Sequence, residues 1–332
     1  MIFLVTLKQV AIFLFYIAVG FTLTKTKVID KKASKYLSIL LTYLIAPLYT
    51  ISNLSKNVSI EKISTYAVLI LAGLLVALIL VFVARLLARI FANNRLEKSL
   101  FSYLFAFSNL GYFGNPLVAE VFGEEVLTNY ILFCVPATIL ISSYGYYLLT
   151  KGVSNEEVEQ CLDLKEKRKK LLKKVASAFY TPPVIGVYVG LILAFLPITL
   201  PKEFYDFLAP AVNCYTAIPM LVAGIVLAGC PFKKLFTSVR SYIIGLIRLV
   251  GMPLVLGGLA YLLYATISLD KAVVVAIFCM VSLPCGMNVV VYPESVGLDS
   301  TEGARACFVS YIMAIVTVPI VFTILDMLVG GV

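Results

Sequence analysis

The chain has 332 residues, is 61% hydrophobic and 14% charged, and carries a formal net charge of +9. A soluble domain is nearer half apolar and a quarter charged, so this composition excludes a water-soluble globular protein. With no histidine, and with seven cysteines that form no CxxC pair, little is available for a metal site, a disulfide framework or hydrolytic chemistry.

Apolar runs of about 20 residues, long enough to cross a bilayer, recur from end to end. They predict membrane spans at 5–24, 35–54, 65–90, 98–121 and 126–150. A polar segment at 151–176 follows, and then spans at 178–197, 204–230, 240–265, 271–293 and 304–329. The first run holds Lys8 and lacks both a basic leader and a small-residue cleavage site. It is read as a retained helix rather than a signal peptide.

The basic residues alternate between connections. Lys25, Lys27, Lys31, Lys32 and Lys35 follow span one; Arg85, Arg89, Arg95 and Lys98 surround the third-to-fourth connection. Lys165 to Lys174 fill the central segment, and Lys233, Lys234 and Arg240 follow span seven. The intervening connections carry far fewer. This is the positive-inside pattern; it predicts both termini outside and 151–176 in the cytoplasm, and it explains the basic balance without nucleic acid. Tyrosine, with 20 copies and no tryptophan beside it, is expected to supply the interfacial aromatic belt.

Spans four and nine match at an offset of 174 residues, with Ser108-Asn109-Leu110-Gly111 facing Ser282-Leu283-Pro284-Cys285 and Glu120 facing Glu294. Each half then holds five spans. Five is odd, so the halves enter the membrane from opposite sides, as in transporters whose binding site lies near the midplane between inverted repeats. The predicted fold is all-α and integral to the membrane. It has ten transmembrane helices in two inverted five-helix repeats, 1–150 and 177–332, joined by the 151–176 loop. Helices four and nine are broken, and the whole resembles the NhaA and bile-acid-symporter architecture, which implies that the two cross.

Span four carries Asn109, Gly111, Gly114, Asn115 and Pro116 near its middle; span nine carries Pro284, Gly286 and Asn288. Proline removes an amide donor and restricts the residue before it, so Asn115 is expected as the N-cap of a new half-helix with Pro116 at its first position. Backbone freed at mid-membrane must face protein or a water-filled cavity. Two half-helix N-termini there offer amides and positive dipole ends to an anion. The expected substrate-binding residues are therefore Asn109, Gly111, Asn115, Pro116, Pro284, Gly286 and Asn288, with no metal and no cofactor. Glycines 224 and 229 are expected to serve close helix packing.

Arg248 lies eight residues past Arg240, about 12 Å deeper along a helix at 1.5 Å per residue. Its stem is expected to snorkel back to the cytoplasmic surface; the alternative is a charge partner for Glu294 or for a substrate carboxylate.

With these segments in view the chain resembles the auxin efflux carrier family, which includes the plant PIN carriers and prokaryotic permeases. The likeness rests on Gly20 to Lys35 running into Pro47, on Asn109 to Pro116 with Phe122-Gly123, and on Thr181-Pro182-Pro183 through Pro201 to Pro219 and Gly224. A fourth stretch runs from Pro284 to Asn288 and on through Gly297 and Asp299 to Pro319. The resemblance implies a scaffold from helices 1, 2, 6 and 7 and a transport unit from helices 3–5 and 8–10. It implies a small organic carboxylate bound where helices four and nine cross and moved by an elevator-like shift. Asn109 matches the substrate-contacting asparagine of that family, Pro284 its crossing proline, and Asn288 the asparagine of prokaryotic members. Ser108 stands where the PIN carriers have proline. The acidic and basic residues of span three in the plant relatives have no counterpart between Tyr66 and Ala84.

The function expected is therefore that of a secondary transporter, not an enzyme. Its partners are a small organic acid anion, the lipid bilayer and, as an assembly still open, a second copy of the chain. A sodium- or proton-coupled symporter or antiporter of the bile-acid-symporter-like class is the alternative within transport. A membrane receptor or structural protein is the alternative outside it.

Overall fold

The computed structural model describes residues 2–150, 176–177, 179–196, 200–229, 231, 236, 238–295, 298 and 300–332. The expected loop at 151–176 falls almost wholly outside them, as does the side chain of Glu294.

Among the described residues the chain is helical, and its one β-type contact is an isolated bridge. The elements are α1 (Ile2–Lys25), α2 (Ala33–Asn57), α3 (Ile60–Phe91), α4a (Arg95–Ala106), α4b (110–122) and α5 (Glu124–Thr150). They continue as α6 (Pro182–Phe195), α7 (Lys202–Leu227), α8 (Val239–Ile267), α9a (Lys271–Val281), α9b (Asn288–Ser295) and α10 (Thr301–Val329). Seven of these, α1, α2, α3, α5, α7, α8 and α10, are long and apolar enough to cross a bilayer. The expected span edges agree with the helix ends to within a few residues.

Local chemistry starts the two broken helices. Asn94 precedes α4a and accepts from the Glu97 amide at 2.8 Å, while Glu97 reaches back to the Asn93 amide at 2.8 Å. Asp270 precedes α9a and accepts from the Ala272 amide at 2.7 Å. Each cap satisfies donors that a first helical turn leaves unpaired.

The outer faces are apolar. Leu4, Leu71, Ile90, Val255 and Met327 are exposed, and a protein in water rarely shows so much apolar surface. Lipid is the solvent that makes this arrangement favourable.

Packing divides the helices unevenly. Helix α1 lies along α7, and α2 lies along α6, with α7 also against α2. Helix α3 packs on α4a and α5, α9a packs on α5, and α8 packs on α10 and α9a. One close seam is α1 with α7. A Cβ on Gly224 would sit 2.0 Å from the Ile17 carbonyl oxygen, and one on Gly20 would sit 2.3 Å from the Leu221 carbonyl oxygen. The packing role expected of Gly224 is thus what the structure shows, and Gly20 is its partner across the seam.

Candidate functional site

Both predicted breaks are present. Between α4a and α4b, residues 107–109 are extended or irregular, with Phe107 at φ −118, ψ 120 and Asn109 at φ −80, ψ 70. Between α9a and α9b, residues 282–287 leave the helix. The two breaks meet and pair in antiparallel fashion through Ser108 and Cys285. The Asn109 amide donates to the Pro284 carbonyl at 2.9 Å, and the Gly286 amide donates to the Phe107 carbonyl at 3.3 Å. Backbone groups freed by the breaks thus satisfy one another, as an apolar surrounding demands. Ser108 stands opposite Cys285, three residues past Ser282, its match in the sequence repeat.

Side chains complete the crossing. Ser108 Oγ donates to the Met280 carbonyl at 2.9 Å, capping the end of α9a. Ser310 Oγ accepts from the Cys285 amide at 3.1 Å, and Asn109 Nδ2 donates to the Tyr311 hydroxyl at 2.7 Å, so α10 holds both breaks. The Tyr130 hydroxyl of α5 donates to the Leu110 carbonyl at 3.1 Å. A Cβ on Gly286 would lie 3.1 Å from the Ser108 carbonyl oxygen, so glycine lets the breaks touch without displacing that carbonyl.

The start of α4b differs from the expected one. The half-helix begins at Leu110 with a π turn, Leu110–Gly114, closed by the Gly114 amide on the Asn109 carbonyl at 3.0 Å. The wider turn accommodates the amide missing at Pro116. Asn115 is therefore helical (φ −56, ψ −53) and not an N-cap, and Asn109 occupies the N-cap position. Freed from capping, Asn115 Nδ2 donates to the Tyr215 hydroxyl at 3.3 Å.

A cavity of about 480 Å³ opens at the two half-helix N-termini. Of the predicted residues, Asn109, Gly111, Asn115, Gly286 and Asn288 line it; Pro116, Pro284 and Arg248 do not. Pro116 is buried within α4b, and Pro284 lends its carbonyl to the crossing. No charged side chain lines the cavity among the described residues.

Arg248 corrects the sequence expectation. It does not snorkel: its side chain is 0% exposed, and its Nη1 donates to the Phe105 carbonyl in the last turn of α4a at 2.8 Å. A π turn, Ile247–Gly251, holds it. The burial wins because a carbonyl-rich helix C-terminus attracts a cation.

Sequence reasoning missed the aromatic wall. Tyr49 of α2 stacks on Tyr215 of α7, with ring centroids 4.0 Å apart at 13°. Tyr112 lies 6.3 Å from Tyr215 and within 3.4 Å of the Thr42 hydroxyl. Tyr112, Tyr146, Tyr215 and Tyr292 all line the cavity. Tyr36, Tyr43 and Tyr180 are exposed, as an interfacial belt requires, but Tyr103, Tyr130, Tyr215 and Tyr311 are buried. The hydroxyls of Tyr130, Tyr215 and Tyr311 meet the Leu110 carbonyl, Asn115 and Asn109, and composition carries no signal of which tyrosines are enclosed in this way.

A helical chain with apolar outer faces and interrupted helices crossing beside an internal cavity is a multi-pass membrane protein. Its sequence matches the membrane transport protein family over residues 5–322, nearly the whole chain, and the chain belongs to that family, the one of the auxin efflux carriers. A protein of Methanothermobacter thermautotrophicus described as an uncharacterized transporter is 25% identical over 219 residues, 65% of this chain. The chain spans 64% of that relative's length.

Proposed function

We propose that the protein is a secondary transporter that carries a small organic carboxylate, one with an apolar or aromatic body, through alternating access of the elevator type. One observation carries the reading: two broken helices cross at a largely apolar cavity, with no charged side chain among its described lining residues, where a few polar groups (Asn109, Asn115, Asn288) gather at the half-helix N-termini. Amides and asparagines there bind a carboxylate through charge-assisted hydrogen bonds. The cavity's tyrosines supply a surface for an apolar body.

The architecture belongs to the same proposal. Ten helices form two inverted repeats, 1–150 and 177–332, with both termini outside and 151–176 cytoplasmic, as the lysine and arginine distribution favours. The packing exchanges as an inverted repeat would: α1 with α7 and α6 with α2 are equivalent pairs once each helix is renumbered by five. These four helices form the scaffold; α3–α5 and α8–α10 form the moving unit.

The test is flux into proteoliposomes from a panel of labelled carboxylates, with and without a sodium or proton gradient. Asn109→Ala and Asn288→Ala are each expected to reduce uptake about 10-fold or more, the loss of a hydrogen bond to a charged group at about 1.5–3 kcal/mol. Uptake unchanged by both substitutions rejects the site.

A further inference from the structure

We infer that Arg248 is a fixed cation carried within the moving unit, neutralised by a bound monovalent carboxylate, so that membrane voltage acts on the empty carrier. The inference rests on the transport reading above and adds a charge count to it.

Arg248 is fully buried, and arginine keeps its proton at any physiological pH. Its Nη1 has the Phe105 carbonyl, but its Nε and Nη2 have no hydrogen-bond partner among the described residues. The ionisable groups acting on it are the Cys285 thiol and the Tyr130 and Tyr103 phenols, which are neutral and themselves buried. No carboxylate of a described residue pairs with it. A buried charge without a counter-charge is strongly disfavoured. The C-terminal dipole of α4a offsets part of that cost.

Position decides what the remaining charge does. Arg248 is not in the cavity wall, yet the groups around it belong to the crossing: Cys285 is the bridging residue of the second break, and Tyr103 lies against Gly286. Its helix packs on α9a and α10, elements assigned to the moving unit. The guanidinium therefore sits behind the anion site and travels with it.

Empty, the moving unit takes the Arg248 charge, which no carboxylate of a described residue pairs with, through the membrane field; a bound monovalent carboxylate cancels it. For a unit charge crossing the whole field, about 100 mV biases the equilibrium by up to about 50-fold. That bias falls on the empty protein alone.

Voltage-clamped membranes containing the full chain test this without any substrate. Steps of about 100 mV are expected to displace charge in the wild type and in Arg248→Lys, and saturating phenylacetate is expected to suppress it. Arg248→Gln, which keeps a donor for the Phe105 carbonyl, is expected to displace less than about a tenth as much. Wild-type displacement by Arg248→Gln, or none by the wild type, overturns the inference. Should Arg248→Gln fail gel filtration, Arg248→Lys decides: loss of displaced charge in that folded variant also overturns it. Exchange of labelled phenylacetate and the rest of the panel is measured alongside. Exchange with no displaced charge sinks the charge assignment alone, whereas no exchange of any carboxylate sinks the transport reading.

Discussion

The α1–α7 seam and the α4–α9 crossing both bring backbone against backbone, by opposite means. At the seam, unbroken helices touch through Gly20 and Gly224, with no space for a Cβ and no hydrogen bond needed. At the crossing, the helices come apart, and the freed amides and carbonyls bond across the gap between Asn109 and Pro284 and between Phe107 and Gly286. The seam is held by shape and the crossing by polar satisfaction. Close packing resists continuous deformation, whereas a polar junction beside a cavity can exchange partners with a guest. The first suits a rigid frame and the second a site.

Three experiments break or sharpen that contrast. The largest effect is expected at the seam. Gly224→Leu forces a side chain into the Ile17 carbonyl and should leave little monodisperse protein on gel filtration. Overpacking costs about 1–3 kcal/mol even where side chains can yield, and a carbonyl fixed in a helix yields less. Gly258→Leu, at a position on α8 with nothing within 4 Å of its Cβ, should elute like the wild type. Equal behaviour of the two variants would remove the seam from the account.

A smaller effect is expected at the cavity. Tyr215→Phe keeps the stack on Tyr49 but removes the hydroxyl that Asn115 donates to. The loss of about 1 kcal/mol should lower carboxylate uptake about 5-fold and leave the melting temperature within about 2 °C of wild type. A large drop in melting temperature with uptake preserved would show that Tyr215 belongs to the frame instead.

The smallest effect is expected outside both regions. Lys62 and Glu125 form an ion pair at 2.5 Å with 51% and 73% of their side chains exposed. Exposed pairs contribute about 0–1 kcal/mol, so Lys62→Ala should change neither uptake nor thermal stability measurably. A clear loss in either would mean the pair takes part in motion.

Both helix breaks were legible before the fold. The clusters around Asn109 and Pro116 and around Pro284 and Asn288 are local chemistry, and the chain breaks at both. The π turn was not legible: it moved the start of α4b from Asn115 back to Leu110 and turned Asn115 toward Tyr215. For Arg248 the sequence offers only Arg240, a surface residue, as a landmark, which favours snorkelling; its actual partner is 143 residues away.

The sequence by itself determined that this chain lives in a bilayer, roughly where its helices begin and end, and which two are interrupted. Those outcomes follow from hydropathy, caps and proline, which act within a few residues. Only the tertiary structure decided that the two gaps bond to each other, that α10 holds both through Ser310 and Tyr311, and that a guanidinium is enclosed behind them. Such choices depend on which donors and acceptors folding brings within about 3 Å, and hydrogen bonds such as the one from Asn109 to Tyr311, 202 residues apart, leave no local trace in the sequence.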